Sequence, residues 1–233
     1  MNNFKAIFFD RDGTLTMNDP EMDKELNRRY KELSGVELKL PYDRFIKFFN
    51  KAHEQVKPYI PYRTIKDEIL FFTDFYELLL IDDGVKENLK EKAKYLGEKL
   101  WYVYKKPFAE VIEVLEYFHL KGYVMGIISD CPPSLEYSLE LIGLSKYFTS
   151  FTASSVVGVG KPDPKIYQYA LDKENLKAED CLYVDDTPNE ADAARNMGMT
   201  SFHIDRKGKY EKTQWTITNL KEIIGYLREN SLE

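Results

Sequence analysis

The sequence predicts an α/β protein, a doubly wound parallel sheet into which an α-helical bundle is inserted. Three observations predict it. A strongly β-prone run, Phe4 to Phe9, opens the chain and breaks at Asp10-Arg11-Asp12-Gly13. A helical pattern then holds from Asp19 to about Tyr104. After Pro107, helix and strand alternate to the end, as they do in parallel sheets covered by helices.

The elements follow in order. Asp19-Pro20 reads as a helix start, with Asp19 as N-cap and Pro20 in the first helical position. Met22, Leu26, Tyr30 and Leu33 recur at helical spacing, and Gly35 is the stop. Tyr42, Phe45, Ile46 and Phe49 make a second stripe after Pro41. Ile65, Phe72, Phe75 and Leu79 make a third, apolar on more than one side and therefore buried. Val85, Leu89, Ala93, Leu96, Leu100 and Val103 make a fourth, after the turn Asp82-Asp83-Gly84. Four helices with short connections predict a small bundle. Beyond Pro107 the pattern gives a helix at about 108–121, a strand at 123–128, a helix at about 133–142 and a strand near 148–153. A helix opens at Pro164, a strand spans 181–184, a helix covers about 189–197, a strand spans 200–204, and the last helix covers about 219–229. The core is thus expected to be Rossmann-like, made of residues 1–17 and 105–233, with 18–104 inserted.

Composition narrows the function. A net charge of −6 over 233 residues argues against a nucleic-acid partner, which needs a basic face. It does not exclude a small anionic substrate, because one local cation reverses the sign inside a pocket. No apolar run approaches a membrane span. The two cysteines, Cys131 and Cys181, are far apart and read as reduced thiols, so the expected location is the cytoplasm. Nothing in the sequence fixes an oligomeric state.

In an open parallel sheet the ligand crevice lies at the carboxyl ends of the strands. Asp10 ends the first predicted strand, Ser129 and Asp130 follow the second, Lys161 lies in the loop beyond the third, and Asp185 and Asp186 end the fourth. Asp10, Asp12, Asp185 and Asp186 would repel one another if all were ionised in one crevice. Lys161 offers one positive charge, and a divalent cation held by hard oxygen ligands, Mg²⁺, resolves the remainder. Carboxylates, a lysine and Mg²⁺ together suit phosphoryl transfer.

The same residues resemble four ordered motifs of the haloacid dehalogenase superfamily: Asp10-Arg11-Asp12-Gly13-Thr14-Leu15, Ile127-Ile128-Ser129-Asp130, Gly160-Lys161-Pro162-Asp163-Pro164 and Val184-Asp185-Asp186-Thr187-Pro188-Asn189-Glu190. The helical insertion lies where one subclass carries an α-helical cap. By that resemblance Asp10 is the nucleophile and a metal ligand, and Asp12 gives its backbone carbonyl to the metal and its side chain to proton transfer. Ser129 and Asp130 belong to the phosphate loop, and Lys161 pairs with phosphate and nucleophile. Asp186 binds Mg²⁺, with Asp185, Thr14 and Glu190 in support. Arg11 stands where an apolar residue is commoner, and its backbone amide can still bind phosphate. Glu190 stands where many relatives have Asp. The implied activity is Mg²⁺-dependent hydrolysis of a small phosphate monoester through an aspartyl-phosphate, the cap closing over the site. A phosphomutase would share this chemistry and differ in product. A dehalogenase would need neither metal nor Asp12, and a non-catalytic regulator would have no use for the intact acidic groups and Lys161.

Other residues receive plainer readings. His53, His119 and His203 are scattered and read as surface or packing residues. Cys131 has no identifiable activating base. The aromatic helices between 42 and 104 read as bundle core, and Tyr62 and Arg63 as crevice-facing or as a solvated turn. Asp12, close to other carboxylates, is expected to have a raised pKa.

Overall fold

The computed structural model describes residues 4–55, 63–99 and 105–230. Tyr62, Leu100 and Val103 therefore lie outside the described residues. The chain divides into two compact units, one of Met1–Met17, Lys105–Cys131 and Leu135–Glu233, the other of Asn18–Tyr104 with Pro132–Ser134.

The first unit is built on a six-stranded parallel sheet. Its strands are β1 (Ala6–Phe9), β4 (Val124–Ser129), β5 (Ser150–Ala153), β6 (Cys181–Asp185), β7 (Thr200–Ile204) and β8 (Thr216–Ile217), in spatial order β5-β4-β1-β6-β7-β8. The chain leaves β1 toward β4 and β5, then returns to β6 on the other side. The strand order thus reverses at β1, where a doubly wound sheet opens its crevice. All four residues of β1 are buried, because the strand is covered on both faces. Ile7 and Phe9 join Val114, Leu115, Phe118 and Ile127 on one side, while Ala6 and Phe8 join Ile166, Tyr167, Ala170 and Tyr183 on the other. The covering helices are α5 (Val111–Leu120), α6 (Leu135–Glu140), α8 (Pro164–Glu174), α9 (Pro188–Asn196) and α10 (Lys221–Asn230), with a short α7 (Ser154–Val157) after β5.

Two further strands, β2 (Thr16–Asn18) and β3 (Lys105–Pro107), pair as a separate ribbon. Sequence periodicity does not reveal them, since three residues carry no period. The two-residue β8 and the four-residue α7 are equally silent.

The second unit holds α1 (Pro20–Ser34), α2 (Tyr42–Gln55), α3 (Ile65–Asp82) and α4 (Leu89–Lys99). Asp19 caps α1 by accepting from the Glu21 amide, and Gly35 ends it in the left-handed region, as the sequence predicts. Thr64 and Asp67 form a reciprocal capping box at the start of α3. Tyr30, Phe48, Phe71, Phe75, Leu79 and Leu96 make this unit's core. Tyr42 corrects the expected second stripe: at the first turn of α2 it is 76% exposed, while Phe45 and Phe49 carry the packing. His53 packs between the rings of Phe49 and Phe71 at 4.8 Å from each, in keeping with its plain reading. Pro132–Ser134 join this unit through Glu68, a fully buried acid that accepts from the Ser134 amide and hydroxyl at 3.1 and 2.9 Å. Among the described residues no helix is long and apolar enough to cross a membrane.

Candidate active site

The site is assembled at the carboxyl edge of the sheet, within the first unit. The Asp10 amide donates to the Val184 carbonyl at 2.9 Å, extending the β1–β6 ladder one step and fixing where the Asp10 side chain emerges. The chain then turns. The amides of Leu15 and Thr16 both return to the Arg11 carbonyl at 2.9 Å, and the Gly13 amide donates to the Thr16 carbonyl at 2.8 Å. Gly13 makes this turn at φ +81°, and a Cβ there would lie 1.9 Å from Asp186 Oδ2. Only glycine lets the loop after β1 pass this close to the loop after β6.

Lys161 ties the loops together. Its buried Nζ lies 2.8 Å from Asp10 Oδ1, 2.7 Å from Asp185 Oδ2 and 2.8 Å from Glu190 Oε2. Its amide donates to Asp130 Oδ1 at 2.9 Å, and Gly160 packs so closely on that carboxylate that a Cβ would meet it at 2.8 Å. One oxygen of Asp130 is therefore committed to placing Lys161. Asp185 is held in turn by the Thr187 amide at 2.8 Å and by a hydrogen bond from the Tyr183 hydroxyl. Glu190 meets the ammonium, and the group of mutually close carboxylate oxygens comprises Asp10, Asp185 and Asp186, within 4.8 Å of one another.

Electrostatics follow from this packing. Burial pushes the Asp10 carboxyl up to about 7; Lys161 opposes this, and Asp185 and Asp12 add to it. Burial also raises Asp186 and Glu190, again against the pull of Lys161. Burial would lower Lys161, but Asp10, Asp185 and Glu190 overcome it and raise it instead, so the lysine stays charged. One ammonium thus contacts three carboxylates, with Asp186 close to two of them, and this surplus of negative charge is costly to bury uncompensated. Three hard oxygen donors that converge, carry surplus negative charge and sit at a sheet edge fit a divalent cation of the Mg²⁺ type.

Asp12 departs from the sequence expectation of a raised pKa. Burial does act to raise it, but the charge and hydrogen bonds of Arg11, joined by Lys105, hold it below the ordinary carboxylate range. Arg11 Nε and Nη2 reach the two Asp12 oxygens at 3.0 and 2.9 Å, and Lys105 Nζ lies 3.3 Å from Oδ2. The expectation counted neighbouring acids and missed the two cations.

The remaining sequence candidates also gather here. Ser129 ends β4 buried, against the Cys131 thiol, which burial pushes up to about 12 and which is thereby unfit as a nucleophile. Thr14 is fully buried, and its Oγ1 has no hydrogen-bond partner among the described residues. Arg206, which the sequence reading did not single out, lies just past β7. It donates to the carbonyls of Gly13 and Thr14 at 3.1 and 2.6 Å and to Glu110 at 2.7 Å, bracing the loop after Asp10. Its place beyond a predicted strand end was the available signal. Lys105 had none, since it follows a long helical pattern. His203 is a buried packing residue beside Tyr210 at 4.8 Å, and His119 is an exposed surface residue 6.2 Å from the Tyr147 ring.

Comparison with known proteins places these features in context. A family model described as haloacid dehalogenase-like hydrolase matches residues 4–198. A glyceraldehyde 3-phosphate phosphatase of Pyrococcus furiosus is 30% identical, over 99% of this chain and 96% of its own. A phosphoglycolate phosphatase of Vibrio parahaemolyticus is 26% identical, over 85% of this chain and 82% of its own. A solved 2-haloacid dehalogenase of Pseudomonas syringae superposes with a TM-score of 0.70 at 20% identity, covering 98% of this chain and all of the other, and so shares the fold.

Proposed function

The chain belongs to the haloacid dehalogenase-like hydrolases, and on that premise we propose that it is a cytoplasmic, Mg²⁺-dependent phosphatase of small phosphorylated metabolites, acting through Asp10. The observation that supports this reading over dehalogenation is Asp12. A halide leaves carbon as a stable anion and needs no proton, whereas an alkoxide leaving phosphorus does. A second carboxylate held by two cations beside the nucleophile suits the proton transfers of phosphoryl chemistry, which halide departure does not call for. Two of the relatives named above are phosphatases, which agrees.

Asp10 attacks phosphorus and the bond from phosphorus to the ester oxygen breaks, giving an aspartyl-phosphate. The negative charge of a bound phosphate works against the pull of Arg11 and Lys105 and favours protonated Asp12, which gives its proton to the departing alcohol oxygen and then, ionised again, takes one from the water that attacks the phosphorus of the intermediate. Inorganic phosphate leaves and Asp10 is regenerated. Lys161 stays charged and restrains Asp10 while offering an ammonium to the phosphoryl oxygens. Ser129, with the backbone amides of Arg11 and Asp130, is assigned to the phosphoryl group. The carboxylates of Asp10 and Asp186 and the Asp12 backbone carbonyl would hold Mg²⁺, with Asp185 in support. When bound, the ion supplies positive charge that offsets the repulsion between carboxylates and phosphate. Thr14 and Glu190 support the loop and the lysine. The helical unit, Asn18–Tyr104, is assigned to leaving-group selection as a cap.

The test is release of inorganic phosphate from a panel of monoesters with and without Mg²⁺, with 2-haloacids assayed alongside for halide. Phosphoglycolate and glyceraldehyde 3-phosphate head the panel. Phosphate release that needs Mg²⁺ supports the reading; halide release without phosphate release refutes it. Transfer of the phosphoryl group to a second sugar position, with no phosphate freed, would instead make the protein a mutase.

A further inference from the structure

Arg11 occupies the position between the two motif aspartates, where an apolar residue would bury without cost. Its guanidinium is buried, with only 7% of the residue exposed, and each polar end has a defined partner. Nε and Nη2 fork onto Oδ1 and Oδ2 of the next residue, Asp12, at 3.0 and 2.9 Å. Nη1 donates to Ser138 Oγ at 2.9 Å, and that hydroxyl in turn donates to the Leu135 carbonyl inside α6 at 2.7 Å. The two Asp12 oxygens carry further donors, Thr16 Oγ1 at 3.1 Å on Oδ1 and Lys105 at 3.3 Å on Oδ2. Burying a guanidinium is unfavourable unless its hydrogen bonds are met, and here they are met mostly by a side chain that sits, part-exposed, on the site.

A planar fork on a planar carboxylate fixes more than a charge does. It sets both the direction in which the Asp12 side chain leaves the backbone and the rotation of its carboxylate plane. An unclamped aspartate with this exposure would sample several rotamers, and most would carry its oxygens out of reach of a leaving group. Resting on the phosphatase reading above, we propose that Arg11 is a positioning residue that orients Asp12 for proton transfer, with Ser138 anchoring the guanidinium to the start of α6. The guanidinium acts through Asp12 and is assigned no contact with substrate or reacting atoms; only the Arg11 backbone amide is assigned to the phosphoryl group.

The experiment compares Arg11→Met, Arg11→Lys and Ser138→Ala with the wild-type chain in excess Mg²⁺. The substrates are the alkyl phosphate best hydrolysed by the wild type and para-nitrophenyl phosphate, whose leaving group needs little protonation. Misplacing a reacting group by about 1 Å can cost about 10²-fold, so Arg11→Met should lose about that much in kcat on the alkyl ester with KM nearly unchanged. Its first-turnover burst of nitrophenol should fall far less. Arg11→Lys keeps the charge but cannot fork, and should recover little of the alkyl activity; Ser138→Ala should shift in the same direction by less. Inhibition by orthovanadate, which reports the phosphate pocket, should be unchanged in all three. A nitrophenol burst that falls as far as the alkyl kcat, no loss of alkyl kcat, or full rescue by lysine would overturn the role given to Arg11. Should Arg11→Met fail to fold, Arg11→Lys and Ser138→Ala carry the same comparison. A wild-type chain that frees no phosphate from any ester would instead sink the phosphatase reading itself.

Discussion

Replacing Gly13 with alanine tests the geometry that joins the first and last motifs. The new Cβ would lie 1.9 Å from Asp186 Oδ2 and 2.4 Å from its Cγ. Atoms of this kind rest at about 3.5 Å, so the carboxylate must retreat by about 1.5 Å. The obstacle is the end of a side chain, so the backbone need not unfold to make room. Mg²⁺ tolerates little departure from its preferred oxygen distances, and even perturbations one shell farther out cost metal sites about 10–100-fold in affinity. The Mg²⁺ concentration for half-maximal phosphate release should therefore rise by at least about 100-fold. The backbone contributes separately. Alanine at φ +81° costs about 1–2 kcal/mol, or a drop in Tm of about 2–8 °C for a chain of this size. Gly143→Ala is the matched control, because Gly143 has φ +71° and nothing within 4 Å of the added Cβ. It should show the same small loss of stability with normal Mg²⁺ dependence. The assay is phosphate release against Mg²⁺ concentration, with melting curves for both variants. Wild-type Mg²⁺ dependence in Gly13→Ala, or an equal activity loss in Gly143→Ala, would refute the reasoning.

Three other outcomes are expected. Asp12→Asn keeps the backbone carbonyl but removes both proton transfers, and should lose about 10²–10⁴-fold in turnover of an alkyl phosphate, while an aryl phosphate, whose leaving group needs little protonation, should leave phosphoenzyme accumulated; near-normal turnover of the alkyl ester by the folded variant would remove Asp12 from the mechanism. Lys161→Met leaves Asp10, Asp185 and Glu190 without their shared cation, and should abolish phosphate release and destabilise the metal-free fold by about 3–5 kcal/mol in denaturant titration. An unchanged unfolding midpoint would contradict the buried cluster. Burial raises Asp10 from 3.8 to about 7, so the folded state favours its protonated form. Its contribution to stability is full below about pH 4 and is lost as pH rises through about 7. In chelator, wild-type stability should decline across that interval more steeply than that of Asp10→Asn; parallel curves would argue against the shift.

How much of this was legible depends on the residue. Strands such as β1, β4 and β6 could be read because β-prone apolar runs stop at polar residues, and their carboxyl ends located Asp10, Ser129 and Asp185. The three-residue strands β2 and β3 carry no period, so the ribbon they form went unseen, and with it Lys105 near Asp12. Adjacent side chains in an extended segment point opposite ways, which hid the pairing of Arg11 with Asp12. The turn closed by the Leu15 and Thr16 amides on the Arg11 carbonyl ends the extended segment there and lets the pair form. The expected pKa of Asp12 erred in direction for the same reason, because acids can be counted along a chain while their cations arrive through the fold. Glu190 had no settled role in the sequence, and its reach to Lys161 is set by the first turn of α9.

The central claim is that Asp10 carries the phosphoryl group. It is tested most directly by acid-quenching the Asp12→Asn protein during turnover of an aryl phosphate, reducing it with borohydride and sequencing the product by mass spectrometry. An acyl phosphate is reduced to an alcohol while free carboxylates are not, so the account predicts homoserine at position 10 and aspartate at every other aspartate position. Unmodified aspartate at position 10, in a protein shown to release phosphate from that ester, would contradict it.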